Sequence, residues 1–376
     1  MTTATAEDSR PVTVPLNKVE AELNRQLQVV MGTVGEPFQR ARMSNLVVFC
    51  EAGEQVAYVT ERVPELTTLH PARIILLIVD PQETGPDLDA EVRVSALGTN
   101  RFACSEQVIL RASERNVDRL PFAVREVLVG DIPTNLWWVS HQPPPFAGSL
   151  IFDLSEHVEQ VIYDSLGWTD PTRGVAATAN WIAKFEGQTS LGPARVRVVS
   201  DLNWRRLKSW RRLLGQALDP SSAPGAYQSI TELAVEHGPH AVTQAWQLVS
   251  WIAARLGWKV QDSKVQPGVE IDWFFEAKSG PVRVAIRRMN EGAPAISRVR
   301  LTCAIEGRGT CLDLQPDRGN RLSVVAEGTG AAPRTISVPE LAPGELIGRQ
   351  LSDREPDPIF RQSMEVAQTL AQSLLH

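Results

Sequence analysis

The sequence predicts an α/β fold: a layered α/β N-terminal domain, then a helix and a mostly antiparallel, β-rich C-terminal domain. Three observations carry this. Strand-like apolar runs alternate with helical periodicity over residues 15–219. The run IILLIV at 74–79 is apolar at every position, as expected of a strand covered on both faces. From residue 258 the texture changes to successive β-like runs divided by the turns KSGP, GRGT and DRGN. A length of 376 residues fits two domains. The expected divisions are a disordered tail over 1–14, the α/β domain over 15–219 and the C-terminal domain over 226–376.

The elements follow in order. Leu16, Val19, Leu23, Leu27 and Val30 recur at helical spacing, so 16–30 is a helix, stopped by Gly32 and Gly35. NLVVFC (45–50) is a strand, 54–66 a helix and 74–79 the fully apolar strand. Strands are expected at 92–97 and 108–110, then a helix at 117–128 with Pro121 in its first turn. DIPTNLWWVS is a strand whose adjacent Trp137 and Trp138 must point to opposite faces of the sheet. Val158–Tyr163 is a short strand, 173–186 a helix and Arg195–Val199 a strand.

The stretch Asp201–Asp219, DLNWRRLKSWRRLLGQALD, is expected to be one helix. Asp201 or Asn203 caps it, Leu207, Trp210, Leu214, Ala217 and Leu218 form its apolar stripe, and Asp219-Pro220 ends it. Trp204, Arg205, Lys208, Arg211 and Arg212 make a basic, aromatic surface with no acidic residue among them. Two readings fit. Either the cations are solvated or paired with acids elsewhere in the chain, their stems covering apolar surface, or they grip an anionic ligand or partner. DPSSAPGAY then reads as a linker and TELAVEHG as a strand. Residues 239–256 form a helix capped by Gly257, a β-meander spans 258–338, and two helices close the chain.

Composition excludes several classes. A net charge of −6 does not supply the basic field of a general nucleic-acid binder. No apolar run is long enough to span a bilayer, and the polar N-terminus does not read as a signal peptide, so a cytoplasmic location is expected. Four cysteines are too few for a disulfide framework. The sequence contains no G-x-G-x-x-G, no Walker A loop, no H-E-x-x-H and no G-x-S-x-G. Neither a cofactor nor a metal is therefore expected. In HGPH, Gly238-Pro239 makes a turn, which argues against a metal pair of His237 and His240. Asp80 and Asp164 end two strands, where open α/β sheets place ligands, but both also suit turns and caps. Cys303 and Cys311 flank AIEGRGT. A three-residue loop at Glu306–Arg308 would set them directly opposite, within reach of a disulfide, whereas a register slip of one residue would separate them.

Six segments in this order have a counterpart in a known family: NLVV (45–48), HPARIILL (70–77), DIPTNLWW (131–138), IYDS (162–165), DLNWRRLKSWR (201–211) and WIAARLGW (251–258). On them the chain resembles the OpcA family, the assembly proteins of glucose-6-phosphate dehydrogenase. The resemblance implies a non-catalytic effector that binds that dehydrogenase, promotes its active oligomer and supports NADPH production in the oxidative pentose phosphate pathway. It also places Cys303 and Cys311 in the part of the chain where cyanobacterial members carry thioredoxin-linked cysteines. The rival expectation is an enzyme or sensor that binds a sugar phosphate at the strand ends near Asp80, Asp164 and the basic helix.

Overall fold

The computed structural model describes residues 10–34, 42–83, 85, 88–97, 103–187, 196–221, 223–305, 308–327, 332–339 and 341–375. Among the described residues, two eight-stranded sheets carry the fold. The first holds β1 (Val12–Val14), β2 (Ser44–Glu51), β3 (Ala72–Val79), β4 (Ala90–Leu97), β5 (Ala103–Ala112), β6 (Thr134–Val139), β7 (Gln160–Tyr163) and β8 (Val198–Asp201). Their order is β1-β4-β5-β3-β2-β6-β7-β8. β5, β3, β2, β6, β7 and β8 are parallel, while β4 runs antiparallel to β5, and β1 antiparallel to β4. Numbered among themselves, the parallel strands have the 3-2-1-4-5-6 order of a doubly wound sheet, which breaks between β2 and β6. Val12–Val14, placed in a disordered tail by composition, instead pairs with Ala90–Val92 as an edge strand, because its β-branched V-T-V suits a ladder. Residues 1–9 of that tail lie outside the described residues.

The helices α1 (Val19–Val34), α2 (Glu54–Leu69), α3 (Leu120–Val127), α4 (Ser149–Ser155) and α5 (Pro171–Gly187) cover this sheet. α4 was not expected, since its seven residues are too short to show a period. The two tryptophans divide as the strand alternation requires. Trp138 stacks on Phe49 at 3.9 Å in one layer, and Trp137 meets Tyr58 at 6.0 Å in the other.

The expected helix over 201–219 is two helices, α6 (Leu202–Arg206) and α7 (Lys208–Ala217), hinged at Leu207. Asp201 caps α6 by accepting from the Asn203 N–H at 2.9 Å. Leu207, Trp210, Leu214 and Ala217 are buried as the stripe predicts.

The second sheet holds β9 (Ile230–His237), β10 (Lys259–Gln266), β11 (Glu270–Ala277), β12 (Gly280–Arg288), β13 (Ile296–Ile305), β14 (Arg308–Asp317), β15 (Arg321–Glu327) and β16 (Arg334–Ser337). It is mostly antiparallel, but it is not one meander. β9 lies between β12, to which it is parallel, and β13. One face packs on α8 (Val242–Leu256) and α10 (Pro358–Leu375), with Trp246 edge-on to Trp273 at 5.0 Å. Gly257 caps α8 in the left-handed region, φ 67°. The other face carries ion pairs such as Arg283 with Asp272 and Arg298 with Asp313.

The last two helices return to the first sheet. α9 (Pro343–Ser352) lies against α2 and buries Leu346, Ile347 and Leu351 among Val59, Val63 and Leu66. At Gly344 a Cβ would lie 2.1 Å from a Glu65 carboxylate oxygen, so a larger residue there would push the Glu65 side chain aside. α10 packs on both α5 and α8, so a single helix touches the covering layers of both sheets.

Candidate functional site

The break in strand order between β2 and β6 opens a crevice of about 520 Å³ at the C-terminal ends of the strands. Open α/β sheets bind ligands at this position. Its walls are the first turn of α2 (Glu54, Gln55, Tyr58), the end of β6 (Trp137 to His141), Asp164 and Leu166 after β7, and Arg206 of α6. Leu341 and Leu346 close it from the returning C-terminal segment.

Asp164 is a crevice residue, but its carboxylate is engaged. Arg206 donates to both of its oxygens, at 2.8 and 2.7 Å, and a third donor, the Leu166 N–H, reaches it at 3.1 Å. Burial works to lower the Arg206 pKa, but the charge and hydrogen bonds of Asp164, together with the charge of Asp201, raise it on balance, so the guanidinium stays charged. Asp80, the other strand-end acid, forms a turn by accepting from the Gln82 N–H at 2.9 Å, and does not line the crevice.

Behind Asp164 lies a buried polar cluster. Asp201 accepts from the N–H groups of Ser165 (3.2 Å) and Asn203, and from the Gln247 amide at 2.5 Å. Thr243 donates to the Ser165 carbonyl at 2.6 Å. Helix α8, which supplies Thr243 and Gln247, is thereby tied to the strand ends of the first sheet. Burial, with the Asp164 charge, pushes the Asp201 carboxyl up to about 6 despite these donors.

The basic surface of α6 and α7 faces the chain's own C-terminal segment. Trp204 donates to Asp357 at 2.7 Å, and Arg205 donates to Gln350 at 2.7 Å and Asp353 at 2.8 Å. Arg211 lies 3.4 Å over the Trp204 ring, and burial pulls its guanidinium down to about 10. The acids missing from 204–212 are therefore supplied by Asp353, Glu355 and Asp357, which share a cavity with these side chains. Lys208 and Arg212 differ: both are exposed, and among the described residues neither makes an ion pair.

The geometric basis expected for the cysteine pair is absent. The ladder sets Cys303 opposite Thr310 and Cys311 opposite Thr302, so the two thiols point to opposite faces of the sheet. The connection is one residue shorter than expected, with Ile305 facing Arg308, and that slip reverses the parity. Cys303 lies in the core, where burial raises its thiol to about 11. The two histidines of HGPH do not converge either: His237 is buried beside the Gly238 carbonyl, and His240 sits in a turn with φ 66°. Among the described residues no group of three potential metal ligands occurs.

The main polar feature that the sequence reading passed over is Arg73, buried at the start of β3. It donates to Glu106 at 2.9 and 3.0 Å, to the Val127 carbonyl at 2.9 Å and to Glu20. Arg42 takes the other Glu106 oxygen at 2.7 Å. The available signal was an arginine inside the apolar run HPARIILL.

Comparison with known proteins adds the following. The model of the glucose-6-phosphate dehydrogenase subunit N-terminal domain matches residues 63–180, and that of the C-terminal domain matches 197–364. A Synechocystis protein named OpcA for the OxPP cycle is 28% identical over 326 residues, 81% of this chain and 64% of that protein. Its namesake from Synechococcus elongatus is 24% identical, over 80% of this chain and 68% of the relative. This chain therefore spans about two-thirds of the length of these two relatives. A solved oxidoreductase from Sinorhizobium meliloti aligns with 89% of this chain and 97% of its own at TM-score 0.50 and 10% identity, a likeness of fold alone.

Proposed function

The chain belongs to the OpcA family, and from that premise we propose that it is a non-catalytic assembly factor and allosteric activator of glucose-6-phosphate dehydrogenase. The observation that carries this is the ordered match of both dehydrogenase-subunit models, one along the first sheet and the other from the end of that sheet through the second. The protein stabilises the dehydrogenase's active oligomer and so supports NADPH supply in the oxidative pentose phosphate pathway of the cytoplasm. An effector moves such an equilibrium only by its difference in affinity for the two states. The engagement of Asp164 by Arg206 supports a non-catalytic role, because it leaves that carboxylate unsuited to proton transfer. Lys208, exposed beside the C-terminal segment, and Arg212, exposed one turn further along the same helix, extend the contact surface toward the dehydrogenase, and Trp204, Arg205 and Arg211 brace it from within.

The test is to add the purified chain to the host's dehydrogenase. Turnover rises, and the two co-elute on size exclusion. The chain alone reduces no NADP. With Lys208→Glu and Arg212→Glu together, association slows at low salt while the melting curve is unchanged. Intrinsic NADP reduction by the chain, or no effect on the dehydrogenase, would overturn the proposal.

A further inference from the structure

A sheet with the strand order seen here implies a dinucleotide lying across the switch point. Its pyrophosphate would rest on the N-terminus of the helix that follows the first central strand. That helix is α2, and the turn into it reads Glu51-Ala52-Gly53-Glu54-Gln55-Val56. Against G-x-G-x-x-G, only the second glycine, Gly53, is present; Glu51 and Val56 stand at the other two positions.

The side chains of this turn do not fit a pyrophosphate. The Glu51 carboxylate, at the end of β2, accepts at 3.0 Å from the hydroxyl of Ser140, a crevice-wall residue, which holds it next to that wall. The Glu51 N–H, a donor that a phosphate could use, is taken by the Gln55 side chain at 2.8 Å. Glu54 is the first residue of α2, exposed, and without an ion pair among the described residues. It therefore sets a full negative charge against the partial positive charge of the helix end. Arg206, the guanidinium in the crevice wall, is neutralised by Asp164 and also donates to Asn203 at 3.0 Å. At the end of β3, where NADP sites place an arginine for the 2′-phosphate and NAD sites an acid for the ribose 2′-hydroxyl, stands Asp80, which disfavours NADP, while its carboxylate already accepts from the Gln82 N–H in its own turn.

Apart from the polar Gln55, Ser140 and His141, the walls that remain are aromatic and aliphatic, among them Tyr58, Trp137, Leu166, Leu202 and Leu346. The volume suits an organic molecule. We infer that the switch-point crevice is a binding site for an uncharged or cationic aromatic ligand, and that its carboxylate rim excludes dinucleotides and sugar phosphates. It is a doubly wound ligand site whose charge preference has been inverted.

Three probes of matched shape decide the first half: benzamidine, benzamide and benzoate, each titrated into the full chain and followed by tryptophan fluorescence and saturation-transfer NMR. Benzamidine and benzamide bind, and benzoate binds at least tenfold more weakly. Benzoate binding as tightly as the others, or no binding by any of the three, overturns the inference. NADH, NADPH and glucose 6-phosphate decide the second half. None saturates the wild-type chain at millimolar concentration, and saturation in the micromolar range by any of them overturns the inference. The Glu51→Gly, Glu54→Ala double variant, which keeps Asp80, gains at least tenfold in NADH affinity, and a folded variant without that gain also overturns it. Should the variant not fold, the wild-type titrations alone decide. Complex formation with the dehydrogenase is scored separately by size exclusion, so the two proposals fail independently.

Discussion

Asp357 joins three parts of the molecule, and its replacement gives a sharp test of how the C-terminal segment is held. One carboxylate oxygen caps α10 by accepting from the Ile359 and Phe360 N–H groups at 2.9 and 3.0 Å. The other accepts from the Trp204 indole at 2.7 Å, and Trp204 in turn packs on Phe360, the rings 5.4 Å apart. In Asp357→Ala the lost cap costs about 1 kcal/mol. The lost hydrogen bond to an ionised acceptor costs about 1–2 kcal/mol, toward the low end because Asp357 itself is exposed. The expected total is about 2–3 kcal/mol. Asp353→Ala is the control. It also removes a carboxylate facing the basic helix, but the Asp353 side chain is 59% exposed in its pair with Arg205, so the cost is within about 1 kcal/mol. The assay is urea unfolding followed by tryptophan fluorescence, comparing midpoints at equal slope. If the two variants lose the same stability, or Asp357→Ala loses less than about 0.5 kcal/mol, this account of the clamp is wrong.

Further expectations follow from the same geometry. Glu106→Gln leaves Arg73 buried without its main counter-charge and costs about 3–5 kcal/mol, whereas an Arg73→Met, Glu106→Leu double variant recovers most of it; urea midpoints report both. Asp201 has a folded pKa of about 6 against an ordinary 3.8. The native state thus holds its proton more tightly, and stability declines by about 3 kcal/mol as pH rises from about 4 to about 6, then stays level. Asp201→Asn removes that decline, so wild-type and variant melting curves across this range should converge at the acid end or the reading is mistaken. Oxidation with diamide produces no Cys303–Cys311 bridge in a non-reduced digest, and activation of the dehydrogenase is the same before and after dithiothreitol. A bridged peptide would contradict the strand register.

Much of the fold is legible because it depends on local chemistry. The all-apolar run of β3 and the Gly257 cap of α8 announce themselves in consecutive residues. The place of β9 between β12 and β13 does not, since strand order is decided by long-range packing that no window of sequence contains. The break at Leu207 was hidden for a related reason: the apolar stripe continues through it, so periodicity alone reads one helix. The basic surface was visible as composition, but the acids that neutralise it lie some 150 positions later in sequence, as in Arg205 with Asp353. The cysteine pair shows how narrow such inference is, because one residue in a turn decides whether two thiols face each other. Arg73 was unreadable as a buried ion because its partners Glu20, Glu106 and the Val127 carbonyl come from three other stretches of chain.

The return of α9 onto α2 has a consequence for how the protein is made. The ribosome releases the chain from its N-terminus, so Val59, Val63 and Leu66 emerge long before Leu346, Ile347 and Leu351, which complete their layer. At about 5–20 residues per second, that wait is on the order of tens of seconds. Throughout it the nascent first sheet carries an unfinished apolar flank, a surface that holding chaperones recognise. Only a chain translated through α9 can close that flank, so a product cut short after β16 remains open to proteolysis there, however well its two sheets have formed.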